Sequence, residues 1–392
     1  MSDRPVLGRR VVAGLGLGPS VRLGPRGALL VVGPTQSGKT TSLVVPALLG
    51  WGGPAVVASV KGDVVASTRR WRECLGLVQT LEPGLEDGLT WDPLEGVGDL
   101  RGALRAARDL TLGTGRPDAE SWNALAAKLV AGVMVLALER GETVFEVAAA
   151  VAGDLEGYVR AARPGVARSV VTDLLDHDGR TVDGVVTTAE AMLAPWQFPQ
   201  PLARVGPALE DRNTLYLCAP RADQRHYEPL FRGALRRVLE LQQRRSERGA
   251  AGSLLVVLDE AAHVASLDEL DQVASTVSGL GVTLVTVVQD FAQLRARYGE
   301  RAATIVNNHA TRVVLAGLAD PSATRYLPEL AARERAVGPG REGRGHAREP
   351  GGLRTRRPGR AVVVAGHRPA VEVALVPWWR RRALRSRGVR RR

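Results

Sequence analysis

Residues 33–40 read GPTQSGKT, which completes the pattern G-x-x-x-x-G-K-[ST]. The pattern lies between the apolar run Ala28–Val32 and a segment of helical character, which is the strand–loop–helix context that it requires. Its glycines let backbone N–H groups form a concave nest, and the helix N-terminus adds positive charge. We therefore predict a phosphate-binding loop, against the alternative of a glycine-rich turn with chance spacing. Its expected contacts are Gly33, Pro34, Thr35, Gln36, Ser37, Gly38, Lys39, Thr40 and Thr41.

Two acids that follow a second apolar strand narrow the range of reactions that the phosphate-binding loop could support. Asp259 and Glu260 follow the run Leu254–Leu258. In a triphosphate site Lys39 should bridge the β- and γ-phosphates, while the Thr40 hydroxyl and the carboxylate at the strand end hold Mg²⁺. We expect Asp259 to be this metal ligand and Glu260 to be the general base for water. A surface turn with two solvated acids is the alternative.

A third strand, Val282–Val288, ends at Gln289. A polar side chain there could contact the γ-phosphate or position water, so we count Gln289 with Lys39 and Glu260 as candidate catalytic residues. An ordinary polar residue at a strand end is the alternative. The sequence contains no guanine-reading N-K-x-D motif, which favours ATP over GTP.

The apolar segments predict an α/β fold. Short runs bounded by glycine or proline, such as Ala55–Val60 and Leu77–Leu81, are typical of buried parallel strands. Residues 95–204 instead repeat apolar residues at helical spacing, which predicts a mostly helical insertion. Strands and helices alternate again from Thr214 onward, so helices should cover both faces of the sheet.

The charge of the chain is concentrated at its C-terminus. The 392 residues carry a net charge of +12, and residues 333–392 alone contain 18 basic and 4 acidic side chains. Residues 333–360 lack periodicity and predict a flexible segment, and the eight arginines of 380–392 predict a basic tail that is disordered on its own. Such a tail would meet DNA or an anionic lipid surface. A solvated tail without a partner is the alternative.

Cysteine usage and hydropathy indicate where the protein works. Cys74 and Cys218 cannot form a disulfide framework, which fits a reducing compartment. The longest charge-free apolar stretch, Leu129–Leu138, is about half of the ~20 residues that a membrane span needs. We expect a cytoplasmic protein, with peripheral contact to the inner face of the cell membrane left open.

Beyond these motifs, the chain resembles the TraG/TraD family, the coupling-protein ATPases of conjugation and type IV secretion. The resemblance covers most of residues 27–380 and is most specific in 254–318. The segments that carry it are Gly33–Thr40, Trp51–Pro54, Ser59–Asp63, Trp91–Leu94, Leu254–Gly299, Asn307–Leu318 and Gly359–Trp379.

This resemblance implies a RecA-like motor with a mostly parallel sheet, an all-α insertion, ATP and Mg²⁺ as cofactors, and a hexameric ring. It also implies transfer of DNA bound to a relaxase, or of protein substrates, into a membrane channel. The expected domains are an N-terminal extension (1–26), the RecA-like domain (27–94 and 205–332), the insertion (95–204), the flexible segment (333–360), C-terminal strands (361–379) and the basic tail (380–392).

The chain departs from the family at several positions. Family members normally begin with transmembrane helices, whereas the motor here starts near residue 27, so we expect a partner to supply any membrane attachment. Ser278–Gly281 lacks the basic residue that relatives direct at the neighbouring subunit's nucleotide. Arg221, Arg295 and Arg297 are candidates to replace it.

Three functions remain open from the sequence. The first is an ATP-hydrolysing motor that moves DNA or DNA–protein complexes. The second is an ATP-dependent recruitment receptor with little hydrolysis. The third is a translocase for double-stranded DNA that resembles the FtsK class.

Overall fold

The computed structural model describes residues 5–10, 20–23, 27–59, 62–85, 88–111, 117–219, 223–250, 252–260, 270–320, 323, 357–366 and 368–389. The chain divides into two compact units. The first unit consists of Met1–Gln79, Ala208–Tyr216 and Gln242–Arg392, and the second of Thr80–Pro207 and Leu217–Leu241.

Thirteen strands are present in the described residues. They are β1 (Val6–Arg10), β2 (Ser20–Arg22), β3 (Gly27–Val32), β4 (Ala55–Ser59), β5 (Val78–Leu81), β6 (Thr90–Trp91), β7 (Leu202–Ala203), β8 (Thr214–Cys218), β9 (Leu254–Asp259), β10 (Val282–Val288), β11 (Thr311–Leu315), β12 (Arg360–Ala365) and β13 (Arg368–Ala374).

The described helices, numbered in chain order, are α1 (Val45–Gly50), α2 (Gly62–Glu73), α3 (Leu100–Asp109), α4 (Pro117–Arg140), α5 (Val144–Ala152), α6 (Leu155–Arg160), α7 (Val166–Leu175), α8 (Gly179–Leu193), α9 (Gln224–Glu247), α10 (Leu270–Thr276), α11 (Phe291–Tyr298) and α12 (Arg301–Asn308). A π-helical turn, Thr40–Val44, leads directly into α1. Short 3₁₀ turns lie at Ala194–Trp196, Gly206–Leu209 and Trp378–Arg380.

One sheet forms the centre of the first unit. Its strand order is β2-β1-β13-β12-β11-β3-β10-β9-β4-β8-β5. The middle strands β11, β3, β10, β9 and β4 are parallel, and every residue of β9 and β10 is buried. Their continuous apolar sequences fit this position, because a strand covered by helices on both faces has no polar side. The α/β fold predicted from the sequence is confirmed.

An antiparallel extension completes the sheet at one end. β12 and β13 form a hairpin that pairs with β11, and β1 and β2 continue beyond β13. The sequence predicted C-terminal strands within residues 361–379 but gave residues 1–26 no place in the sheet. Residues 333–356, predicted to be flexible, lie outside the described residues.

The end of the described chain packs on the first unit. Trp378 and Leu384 are buried in a cluster with Val45 and Leu49 of α1, and Trp71 packs against the same cluster. The Arg387 side chain donates a hydrogen bond to the Leu49 carbonyl at 3.0 Å. Our expectation of disorder in residues 380–392 is therefore wrong for the described part of the tail. Its sparse apolar residues are spaced so that they reach α1 together.

The second unit is built around α4, which contacts α3, α5, α7 and α8. Gly132 permits the close approach of α7, because a Cβ atom at this position would lie 2.4 Å from a methyl group of Val171. The segment Glu120–Arg140 of α4 is long and apolar enough to span a membrane, which we had not expected from the sequence, but more than half of it is buried inside the protein. A core helix of a soluble unit has the same length and composition, so this feature is weak evidence for a membrane span.

A histidine beside the central sheet gives the first unit a pH-sensitive contact. His309 is fully buried; its Nδ1 lies 2.7 Å from the Ile305 carbonyl oxygen, and its Nε2 lies 2.8 Å from the Thr286 hydroxyl on β10. The carbonyl can only accept, so Nδ1 carries a hydrogen, and in the neutral ring Nε2 accepts from the Thr286 hydroxyl. Burial lowers the pKa of His309 to about 4, and the nearby positive charge of Arg312 also lowers it.

We predict that His309 makes stability fall in acid. The unfolded histidine takes up a proton below about pH 6.5, whereas the folded one stays neutral down to about pH 4, so protons favour unfolding across this window. The advantage of the parent protein over His309→Gln, measured by urea unfolding, should shrink by about 2 kcal/mol between pH 7.5 and pH 5. An advantage of equal size at both pH values would contradict the assignment.

Candidate nucleotide site

Four strand ends of the first unit meet at one edge of the sheet. Ser59 and Asp259 are paired residues at the ends of β4 and β9, and Asp259 is also paired with Val287 of β10. Val288 is paired with Val32, so Gln289 and Gly33 leave β10 and β3 side by side. The carboxyl ends of adjacent parallel strands thus bring the glycine loop, the acid pair and the glutamine together, as is usual for ligand sites in this fold class.

The loop Gly33–Thr40 is held by its own backbone. The Pro34 carbonyl accepts hydrogen bonds from the Ser37 amide at 3.3 Å and from the Ser37 hydroxyl at 2.7 Å. Gln36 has φ +58° and Gly38 has φ +91°, so the chain passes twice through the left-handed region that anion-binding nests use. At Gly33 a Cβ atom would lie 2.7 Å from the Cβ of Leu315, which explains the need for glycine there.

Lys39 lies under this loop rather than in solvent. The residue is buried, and its ammonium group donates to the carbonyl oxygens of Gly33 and Pro34, the latter at 2.7 Å. Of the other expected contact residues, Thr35 and Gln36 are exposed at the tip of the loop, and the Thr41 hydroxyl donates to the Gly38 carbonyl at 3.4 Å. The loop therefore presents one fixed positive charge beside its backbone.

Asp259 is buried and only weakly satisfied. Its Oδ2 atom accepts hydrogen bonds from the hydroxyls of Thr40 at 3.3 Å and Ser59 at 3.4 Å, both near the long limit. Burial, together with the negative charges of Asp63 and Glu260, raises the pKa of Asp259 to about 6, against opposing effects of Thr40 and Lys39. A buried carboxylate with long hydrogen bonds, together with the hydroxyl of Thr40 beside it, provides suitable oxygen donors for a divalent cation.

Glu260 follows directly in an unusual backbone conformation. Its φ is +63°, which costs a residue with a side chain about 1 kcal/mol or more relative to the right-handed region. The residue is partly exposed, and its negative charge raises the pKa of the neighbouring Asp259. The two acids thus occupy different environments, one buried at the strand end and one turned out of the strand.

The loop after β10 is fixed around Gln289. The Gln289 amide donates to Oε1 of Gln293 at 3.0 Å, and Asp290 caps α11 by accepting from the Gln293 amide at 2.7 Å. Asp320 accepts from the amide of Phe291 at 2.9 Å. Gln289 therefore leaves the strand at a defined position beside the glycine loop.

Sequence reasoning gave Ser59 and Asp63 no role in the site. Both lie in the segment Ser59–Asp63 that contributed to the family resemblance, and both act on Asp259, one by a hydrogen bond and one by charge. Of the candidate replacements for the missing basic residue, Arg295 and Arg297 lie on α11, and Arg221 lies outside the described residues. No sequence pattern distinguishes these arginines.

The fold and this loop define the class of phosphate-loop nucleotide-binding proteins with a RecA-like sheet. Residues 20–332 match the family described as type IV secretory system conjugative DNA transfer. The chain belongs to this family, which confirms the resemblance seen in the sequence.

Curated relatives of the chain include proteins named TraG and VirD4. The chain is 26% identical over 333 residues to the conjugal transfer protein TraG of Escherichia coli. The match covers 72% of this chain and 51% of TraG. It is 24% identical over 326 residues to VirD4 of Rhizobium rhizogenes, covering 75% of this chain and 48% of VirD4. The chain thus spans about half the length of these relatives.

Solved structures share the fold. The unbound conjugative coupling protein TrwBdeltaN70 matches with a TM-score of 0.73 and 21% identity, over 95% of this chain and 94% of the other. TrwB in complex with the non-hydrolysable ATP analogue ADPNP matches with a TM-score of 0.71 and 18% identity, over 97% of both chains.

We predict that Asp259→Asn stabilises the protein in the absence of magnesium and nucleotide. The folded state must keep a buried carboxylate ionised at neutral pH, because the pKa of Asp259 lies at about 6, above the ordinary value of 3.8. This cost is fully present above about pH 7 and disappears below about pH 4, where the side chain is protonated in both states. The gain at pH 8 should be on the order of 1–3 kcal/mol, raising the melting temperature by a few degrees.

The pH dependence supplies the control for this experiment. Parent and Asp259→Asn should melt at similar temperatures near pH 4, where neither carries the buried charge. A variant that melts lower than the parent at pH 8 would show that the Asp259 carboxylate stabilises the fold, contrary to our account.

Proposed function

We propose that the chain is the ATP-hydrolysing motor of a coupling protein, which recruits and translocates DNA or a DNA–protein substrate in conjugative, type IV secretion transfer. The observation that carries the proposal is the 3.3 Å contact between Thr40 and Asp259, which are 219 residues apart in the sequence. It joins the phosphate loop to the acid pair in one site. Membership of the conjugative transfer family and the TrwB complexes with ADPNP and with ADP and Mg²⁺ support it.

The described residues fit ATP and Mg²⁺ as cofactors. The hydroxyl of Thr40 and the under-satisfied carboxylate of Asp259 would hold the metal. When bound, the ion would neutralise charge on the phosphate oxygens. A metal would also relieve the burial of the Asp259 charge, which two long hydrogen bonds from neutral hydroxyls offset only in part.

Lys39 would bind the phosphates directly. Its ammonium group now donates to two loop carbonyls, so a phosphate would replace neutral acceptors with charged ones. The exchange replaces an interaction between a charge and a dipole by one between opposite charges, which is stronger in a partly buried site. The backbone amides of Gly33–Thr41 would surround the same phosphates.

Glu260 and Gln289 would act on the attacking water. Glu260 lies next to the metal-binding position but is less buried than Asp259, so its carboxylate can accept a proton from water. Gln289 would contact the γ-phosphate or hold that water from the neighbouring strand end.

The family also indicates the partners. We propose DNA, single-stranded or duplex, and a relaxase or secreted protein as the cargo, with membrane channel proteins as neighbours. We further propose a homo-oligomeric ring, in which an arginine of one subunit reaches the next subunit's nucleotide. The chain would work in the cytoplasm or against the inner face of the membrane.

Two substitutions test the assigned chemistry. Lys39→Ala should abolish nucleotide binding, because it removes the fixed charge under the loop. Glu260→Gln should keep binding but lower magnesium-dependent ATP turnover by about 10²- to 10⁴-fold, the usual effect of losing a general base. Steady-state phosphate release and nucleotide titration measure the two effects.

Exposed residues supply matched controls. Lys128→Ala and Glu300→Gln make the same chemical changes at exposed positions of α4 and before α12, and both should turn over ATP at the parent rate. Parent-like turnover in both Lys39→Ala and Glu260→Gln would remove the assigned roles.

A recruitment receptor with little hydrolysis is the second candidate. The segment Ser278–Gly281 favours it, since no basic side chain occurs where relatives direct one at the neighbouring nucleotide. We predict instead that DNA stimulates ATP turnover of the assembled protein at least several-fold at low salt. Bound but unhydrolysed ATP at ring-forming concentration would favour the receptor, and directional movement along duplex DNA without a relaxase would favour an FtsK-like translocase.

A further inference from the structure

A cavity of about 490 Å³ lies in the first unit, between the N-terminal strands, α1 and the C-terminal segment. Its apolar wall includes Pro46 and Ala47 of α1 together with Val376 and Leu384. This volume is typical of small-molecule sites in proteins. The cavity is separate from the phosphate loop, although both involve the same helix.

Six arginines line this cavity, and no aspartate or glutamate is among the lining residues that the structure describes. The arginines come from distant parts of the sequence, so the fold assembles them at one place. They are Arg9, Arg22, Arg380, Arg381, Arg382 and Arg387. Like charges concentrated around a concave surface produce a strong positive potential, which raises the local concentration of anions.

Arg381 forms the fixed part of this charge. Its guanidinium group donates to the carbonyls of Val376 at 2.9 Å, Ser42 at 2.8 Å and Val6 at 3.4 Å. Burial lowers the pKa of Arg381 to about 10. Carbonyl dipoles orient this cation but do not neutralise it, and within the described part of the chain none of its partners is a carboxylate. A partly buried cation of this kind favours an anion as its counter-charge.

We propose that this cavity, which we call the arginine pocket, binds a compact, multiply phosphorylated anion. Phosphate is the favoured anion because six arginines line one volume, and a guanidinium group can bind phosphate oxygens in pairs. A nucleic-acid strand would instead need a positive groove that continues along the surface with stacking side chains. The phosphates could belong to a free soluble molecule or to a lipid headgroup.

The pocket is physically joined to the phosphate loop. Arg381 binds the Ser42 carbonyl, and the Ser42 amide donates to Gly38 of the loop at 2.9 Å. Arg387 binds the Leu49 carbonyl near the other end of α1. The proposed site holds whether or not the chain hydrolyses ATP, so its test can be separated from that of the proposed function.

The test uses the full chain carrying Lys39→Ala, so that the phosphate loop does not contribute. Pyrophosphate is titrated by calorimetry at constant low ionic strength, and vesicles of phosphatidylcholine with or without cardiolipin, whose headgroup carries two phosphates, are tested by flotation. We expect saturable binding of at least one probe. Arg380→Ala/Arg382→Ala should weaken it tenfold or more, because both side chains are exposed at the rim of the pocket.

The matched control is Arg368→Ala/Arg385→Ala, which removes two exposed arginines that do not line the pocket. It should change binding less than twofold, and the melting temperature of each variant verifies folding. Binding of pyrophosphate alone identifies a soluble phosphate ligand, and binding of anionic vesicles identifies a headgroup. Equal weakening by both pairs, no saturable binding of either probe, or binding restricted to a single-stranded oligonucleotide would overturn the proposal.

Discussion

The candidate nucleotide site depends most on the position of one buried carboxylate. Asp259 ends a strand that is buried along its whole length, and the hydrogen bonds that its Oδ2 receives from Thr40 and Ser59 are long. Burial is the largest cause that disfavours the charge and raises the pKa of Asp259. A cation that binds Asp259, together with the phosphate oxygens that Lys39 and the loop would bind, would relieve the cost of this buried charge. The buried charge therefore carries a free-energy cost, and a bound cation would remove part of that cost.

The helix α1 connects this site to the rest of the first unit. Its N-terminal side continues the phosphate loop through the turn Thr40–Val44, and its apolar face packs on Trp378 and Leu384. The C-terminal segment thus contributes to the core beside α1. Its removal would uncover apolar surface and take away the hydrogen bonds that Arg381 and Arg387 make to this helix region. Substitution of single exposed arginines is the better way to study the charge of this segment.

The sequence was sufficient to predict the structure wherever the signal is a short local motif or a repeated pattern. Eight residues identified the loop, and continuous apolar runs identified β9 and β10 together with the polar residues at their ends. It failed where structure depends on partners distant in the chain. The N-terminal strands β1 and β2 are short and contain arginines; β1 pairs with β13, and β2 pairs in turn with β1. The arginine-rich tail has the composition of a disordered segment, and only a few apolar side chains that meet α1 make it fold.

The central claim is that the glycine loop and the acid pair form one triphosphate site. A crystal structure of the full chain with Mg²⁺ and a non-hydrolysable ATP analogue tests it most directly. Our account predicts the terminal phosphates inside the loop Gly33–Thr40, with the ammonium group of Lys39 on their oxygens and the metal between Thr40 and Asp259. A nucleotide bound elsewhere, or a metal that contacts neither residue, would contradict it.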